Sequence, residues 1–167
     1  MNKRSLSLIF LFALIFSCKI DYSFTGASIA PDVKTFSIKT FQNFAPLANA
    51  NLSQTFTEAL KDVFISQTNL KLLPSGGDLL LEGSITDYSI TPNAIQGDQT
   101  AATNRLTITV DVKFTNTKNE KQNFESSFSR FADYETNLNL TTIEDNLIKT
   151  INEQLTQDIF NRAVSNW

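Results

Sequence analysis

Apolar and polar residues alternate most cleanly between Arg105 and Thr115. Leu106, Ile108, Val110, Val112 and Phe114 take turns with Thr107, Thr109, Asp111, Lys113 and Thr115 without a fault. A period of two is the mark of a strand with one face on a core and the other toward water or a polar partner. Asn116 to Lys121 reads as a turn, and Gln122 to Tyr134 returns as a strand through Phe124 and Phe128, which makes a hairpin. Further upstream, Leu79 to Thr91 has its apolar residues at Leu79, Leu81 and Ile85, then shifts phase to Tyr88 and Ile90. That shift predicts a bulge or burial of both faces. Val33 to Asn43 is the first strand of the domain, with Phe36 and Ile38 spaced by two, and Asn43-Phe44-Ala45-Pro46 breaks it.

Two segments switch to helical periodicity. From Leu52 to Leu70, the residues Leu52, Phe56, Ala59, Leu60, Val63 and Phe64 form one apolar stripe. Asn49, Asn51 or Ser53 is placed to cap it, and Thr55 with Glu58 has capping-box spacing. Pro74-Ser75-Gly76-Gly77 closes the unit. The second helix carries Ile143, Leu147, Ile148, Ile151, Leu155 and Ile159 on one side, opens at Thr141 and Glu144 with capping-box spacing, and ends near Ala163. The order β-α-β-β-β-α predicts an α+β fold, with two helices on one face of a mainly antiparallel four-stranded sheet. Pro92 to Asn104 stays outside this scheme, a polar connection longer than most hairpin loops, of the kind that is either disordered or functional.

The first seventeen residues lie outside the fold. Lys3 and Arg4 precede an apolar run from Leu6 to Phe16. At about eleven residues the run is too short for the ~20 that span a bilayer and fits the hydrophobic region of an export signal. It ends Ile15-Phe16-Ser17-Cys18, an aliphatic residue and then a small one ahead of cysteine, which resembles the lipobox of bacterial lipoproteins although Phe16 is bulkier than the usual pattern. Cys18 is the only cysteine, so an exported disulfide framework is excluded. The alternatives are an acylated N-terminus at Cys18 and a signal peptide that merely contains a cysteine. Acyl chains at ~0.8 kcal/mol per buried methylene would hold the protein permanently on a membrane. Three stretches follow: a cleaved signal at 1–17, a lipidated tether at 18–32, and a single domain at 33–167.

Composition narrows the chemistry. The 14 Lys and Arg, less Lys3 and Arg4, stand against 17 Asp and Glu, for a mature net charge of −5; no basic excess exists to neutralise a nucleic-acid backbone. With no histidine in the chain, the commonest general base and most transition-metal ligand sets are gone. Gly76-Gly77 has no Lys-Ser or Lys-Thr behind it at phosphate-loop spacing. No catalytic residues, metal or cofactor are therefore expected. Glu144-Asp145 and Asp133 with Glu135 are carboxylate pairs from which a glycosidase could be built, but helix-end charge and solvated surface explain them. Arg105, Lys113, Lys118, Lys121 and Arg130 fall on the predicted hairpin or its ends. Of these, Arg105 and Lys113 are the candidates for contact with anionic lipid phosphates, against the plainer reading of a solubilising face.

Several segments, taken in order behind the lipobox, resemble the LptE family of lipopolysaccharide-assembly lipoproteins. They are Tyr22-Ser23-Phe24-Thr25-Gly26, Ser28-Ile29 and Pro31 leading to Val33-Lys34-Thr35, Leu52 to Leu60, Gly83-Ser84-Ile85-Thr86-Asp87-Tyr88, Ala101 to Ile108, Phe124-Glu125, and the helix before Trp167. The resemblance implies two helices against a four-stranded sheet. It also implies an outer-membrane protein, on the periplasmic side, that plugs the β-barrel LptD, assists its assembly and binds lipopolysaccharide on its way to the surface. The alternatives are an envelope lipoprotein that docks to a different outer-membrane barrel or a secretin, a periplasmic enzyme, and a surface-exposed lipoprotein. The first shares anchor and fold and is separated from LptE by its partner. The enzyme is disfavoured by the missing histidine, and Lys19-Ile20-Asp21 gives no strong signal for surface export.

Overall fold

The computed structural model describes residues 29–93 and 103–164. The signal, Cys18, most of the predicted tether and the middle of the polar connection lie outside the described residues. The elements run β1 (Thr35–Ile38), β2 (Gln42–Asn43), α1 (Leu52–Gln67), β3 (Lys71–Leu72), β4 (Leu79–Asn93), β5 (Thr103–Asn116), a 3₁₀ turn (Glu120–Gln122), β6 (Phe124–Glu135) and α2 (Leu140–Val164).

The fold is α+β with both helices on one face of one sheet, as the patterns predict. The sheet, however, is mixed and has six strands in the order β3-β1-β4-β5-β6, with β2 also on β4. Two corrections account for the difference. The predicted strand over Val33–Asn43 is cut after Ile38. The chain steps outward through Lys39 and Thr40, buries Phe41, and pairs with β4 again at Gln42 and Asn43. α1 closes this break: Ser53 Oγ donates to the Phe41 carbonyl, and Phe41 N donates to Thr57 Oγ1 at 3.1 Å. Ser53 is thus spent on the strand and not on a cap. Second, β3 is a two-residue strand parallel to β1, too short to leave a periodic signal.

β1 and β4 run parallel, in register Phe36↔Leu79 to Ile38↔Leu81, because the intervening α1 returns the chain to the same end of the sheet. β4, β5 and β6 form the antiparallel meander. The predicted phase change in β4 is a register shift between Ile85 and Asp87. Leu79, Leu81 and Ile85 face the core before it and Tyr88 after it. β4 also absorbs Pro92, which pairs with Asn104. Neither β1 nor β2 reaches that far, so the missing N–H of proline falls on an unpaired side. The predicted 92–104 connection therefore shrinks to 94–102.

Leu52, Phe56, Leu60 and Phe64 are fully buried along α1. Phe64 is a hub, with its ring centroid 5.3 Å from Phe36 of β1 and 5.1 Å from Phe160 of α2. Asn49 Nδ2 reaches Glu144 Oε2 at 3.4 Å, while Gln67 Nε2 donates to Gln157 Oε1 at 2.7 Å. The two helices therefore run side by side in the same direction. The predicted capping boxes are not used: Thr55 Oγ1 donates to the Leu52 carbonyl, and Thr141 N is met by Asn139 Oδ1. Close approach of the layers is permitted by Gly83, where a Cβ would lie 2.5 Å from the Phe41 ring and collide with the Asp111 carbonyl.

Candidate functional site

With both helices on one side, the other side of β4, β5 and β6 is left without a covering element among the described residues. Its cross-strand rows are built by register. Glu82, Lys113 and Glu125 form one row; Ser84, Asp111 and Ser127 the next; then come Asp87, Thr109 and Ser129; Ser89, Thr107 and Phe131; and Thr91, Arg105 and Asp133. This face is made of hydroxyls and charges, with Phe131 its exposed aromatic. β5 dictates it, since each threonine or charge between two core residues must point this way.

The charges are arranged as local pairs. Arg105 holds Asp133 through two bonds, Nε to Oδ1 at 2.7 Å and Nη2 to Oδ2 at 2.9 Å, and its guanidinium lies 3.6 Å from the Phe131 ring centroid. The hydrogen bond from Arg105 lowers the pKa of Asp133, and the same bond raises that of Arg105. Lys113 sits 3.3 Å from Glu125 and 4.0 Å from Glu82. The side-chain hydrogen bond from Lys39 is the main cause that lowers Glu82. Lys118 pairs with Asp78 and Arg130 with Asp158 of α2.

Arg105, Lys113, Lys118 and Arg130 are thus distributed over separate ion pairs and form no single patch. Arg105 and Lys113 share a face of β5 but stand eight positions apart, roughly 26 Å along the strand. Each is already met by carboxylates. Two of the four carboxylates weighed for catalysis are engaged: Glu144 accepts from the Tyr88 hydroxyl and from Asn49, and Asp133 from Arg105. Burial first, and then the Glu144 hydrogen bond, push the Tyr88 hydroxyl well above its usual pKa. Among the described residues no cluster of three or more His, Cys, Asp or Glu could hold a metal ion, and no helix is long and apolar enough to cross a membrane.

Sequence reasoning missed two polar features. Tyr88 and Glu144 are 56 positions apart, and nothing local joins them. The other is Asn152 on α2, which is buried and whose Oδ1 has no hydrogen-bond partner among the described residues. It left a signal: four residues after Ile148 and three before Leu155, it falls on the apolar stripe.

Comparison with curated proteins finds no match. Among solved structures, the chain is similar to a Xanthomonas campestris protein of the DUF330 family, with 7% identity, a TM-score of 0.53, and 83% of this chain and 90% of that one covered. It is also similar to lipoprotein B of Nitrosomonas europaea, with 13% identity, a TM-score of 0.50, and coverage of 87% and 91%. A minor lipoprotein of Acinetobacter baumannii aligns at 15% identity with a TM-score of 0.46, over 78% and 91%. At these identities the likeness concerns the fold alone. A family model, LptE: Lipopolysaccharide-assembly, matches residues 33–163. That span takes in every strand and nearly all of both helices, and the chain belongs to the LptE lipopolysaccharide-assembly family.

Proposed function

We propose that the protein is a lipid-anchored component of the lipopolysaccharide translocon, held on the periplasmic side of the outer membrane through Cys18, with its polar sheet face set against the lumen of an LptD-type β-barrel. The uncovered face of β4, β5 and β6 carries this reading. A sheet packed on one side normally buries its other face or leaves it to water. Barrel lumens are polar, so a plug needs hydroxyls and paired charges outside and its own core behind them. This face supplies both, with Thr107, Thr109, Ser127 and Ser129 between the Lys113 and Arg105 ion pairs.

Lipopolysaccharide binding is the finer part of the proposal. The cations this face offers are Arg105 and Lys113, and lipid phosphates would have to compete with Asp133 and Glu125 for them. A charge-assisted exchange of this kind suits transient passage better than tight retention. The proposal assigns no turnover.

The test is site-specific photocrosslinking of the full chain in intact cells. A photoreactive residue at Asp111 or Ser127, exposed cross-strand neighbours, is expected to yield an adduct with the LptD-type barrel. An adduct with a different barrel or a secretin from both positions, or none at all, would overturn the translocon reading.

A further inference from the structure

α1 and α2 do not close on each other along their whole length. A groove of about 700 Å³ lies between them, lined only by residues of the two helices and the turn that leads into α1. Leu52, Ala59, Val63 and Ile148 give it an apolar floor. Ala59 and Val63 belong to the apolar stripe of α1, yet they stay half-buried where Leu60 and Phe64 are fully covered. Apolar surface left open in this way is what a docking segment covers.

Two further observations say what kind of segment. The rim carries Asp62, Asp145 and Glu153 against Lys149 alone, and none of these four is in an ion pair among the described residues. The groove therefore has an unbalanced negative rim, which repels lipid phosphates and attracts ammonium or guanidinium groups. Independently, Asn152 lines the groove at 3% exposure with its Oδ1 accepting no hydrogen bond. Buried polar atoms are almost always satisfied, and the described residues supply no donor to this one.

We propose that the interhelical groove docks a basic polypeptide segment of a partner protein. Its Lys or Arg side chains lie against Asp62, Asp145 and Glu153, and one of its N–H groups satisfies Asn152. This inference does not rest on the sheet-face reading, because the groove is on the helical layer and the hydroxyl-lined face is on the other.

The experiment places a photoreactive residue at Ala59, and separately at Thr55, in the full chain in living cells, and sequences the trapped peptide by mass spectrometry. The expected adduct is a partner segment bearing at least two Lys or Arg. It should disappear in the Asp62→Lys/Glu153→Lys variant and fall about tenfold with Asn152→Leu. Because Asp62 and Glu153 are exposed, their reversal leaves folding intact, and an unchanged melting temperature verifies this. A lipopolysaccharide adduct, a second copy of this chain, a segment without basic residues, or no adduct would each overturn the proposal. So would an adduct indifferent to the charge reversal. Crosslinks from Ser127 are read separately, so either surface can fail alone.

Discussion

Replacing Phe64 by alanine should remove the joint that ties both helices to the sheet. Phe64 is fully buried and its ring meets Phe36 of β1 and Phe160 of α2 at 5.3 and 5.1 Å. Truncating a buried phenylalanine costs about 3–5 kcal/mol, the lost transfer energy plus the cavity left behind, and the two ring pairs place this site toward the upper end. Unfolding a domain of roughly 130 residues carries an entropy near ~0.27 kcal/mol per degree. Phe64→Ala should therefore lower the melting temperature by about 11–18 °C, a large part of the ~5–15 kcal/mol that holds such domains together. Phe64→Leu leaves a smaller cavity and should lose clearly less. Urea unfolding of the chain without its signal, followed by circular dichroism, measures both. A loss below about 1 kcal/mol for Phe64→Ala would refute a core in which one ring joins three elements.

Other consequences follow from single contacts. Tyr88→Phe removes a hydrogen bond to a carboxylate and should cost about 1.5 kcal/mol at neutral pH. The folded pKa of Tyr88 is raised, so its contribution is complete below pH ~10 and lost as pH climbs above that. The gap between wild type and Tyr88→Phe should thus stay constant up to about pH 10 and narrow above it in urea titrations, and a gap that widens would contradict the assignment. Asp78 accepts from Lys34 N, Thr35 N and Thr35 Oγ1 and pairs with Lys118. The Lys34 amide is the largest cause that holds its pKa well below the usual carboxylate range. Its contribution is present above pH ~4 and fades as pH falls through the depressed value. Asp78→Asn should melt lower than wild type at pH 7 and show a flatter acid dependence in differential scanning calorimetry. Gly83→Ala should cost about 1–3 kcal/mol, read from the urea midpoint, since its Cβ meets the Asp111 backbone and the Phe41 ring.

The parts of the fold legible in the sequence are those where one physical requirement repeats. β5 needs an apolar residue at every second position, and α1 needs one at Leu52, Phe56, Leu60 and Phe64; both stand as read. The bulge in β4 was visible because it shifts that repeat between Ile85 and Tyr88. β2 and β3 were not, because two residues cannot show a period, and their pairing is set by the partner strands. The break after Ile38 depends on Ser53 and Thr57 meeting the Phe41 backbone, a contact made across a turn and a helix. Arg105 and Lys113 lie on the polar face of β5, and their carboxylate partners come from neighbouring strands, which no local pattern announces. Capping-box spacing misled for a related reason: Glu144 is drawn to Tyr88 and Asn49.

The most direct test of the central claim is affinity purification of the tagged full-length chain from detergent-solubilised outer membranes, with quantitative mass spectrometry of what co-elutes. The translocon account predicts an LptD-type barrel in near-equal amount. Recovery of the chain with a different barrel, with a secretin, or with no barrel would contradict it.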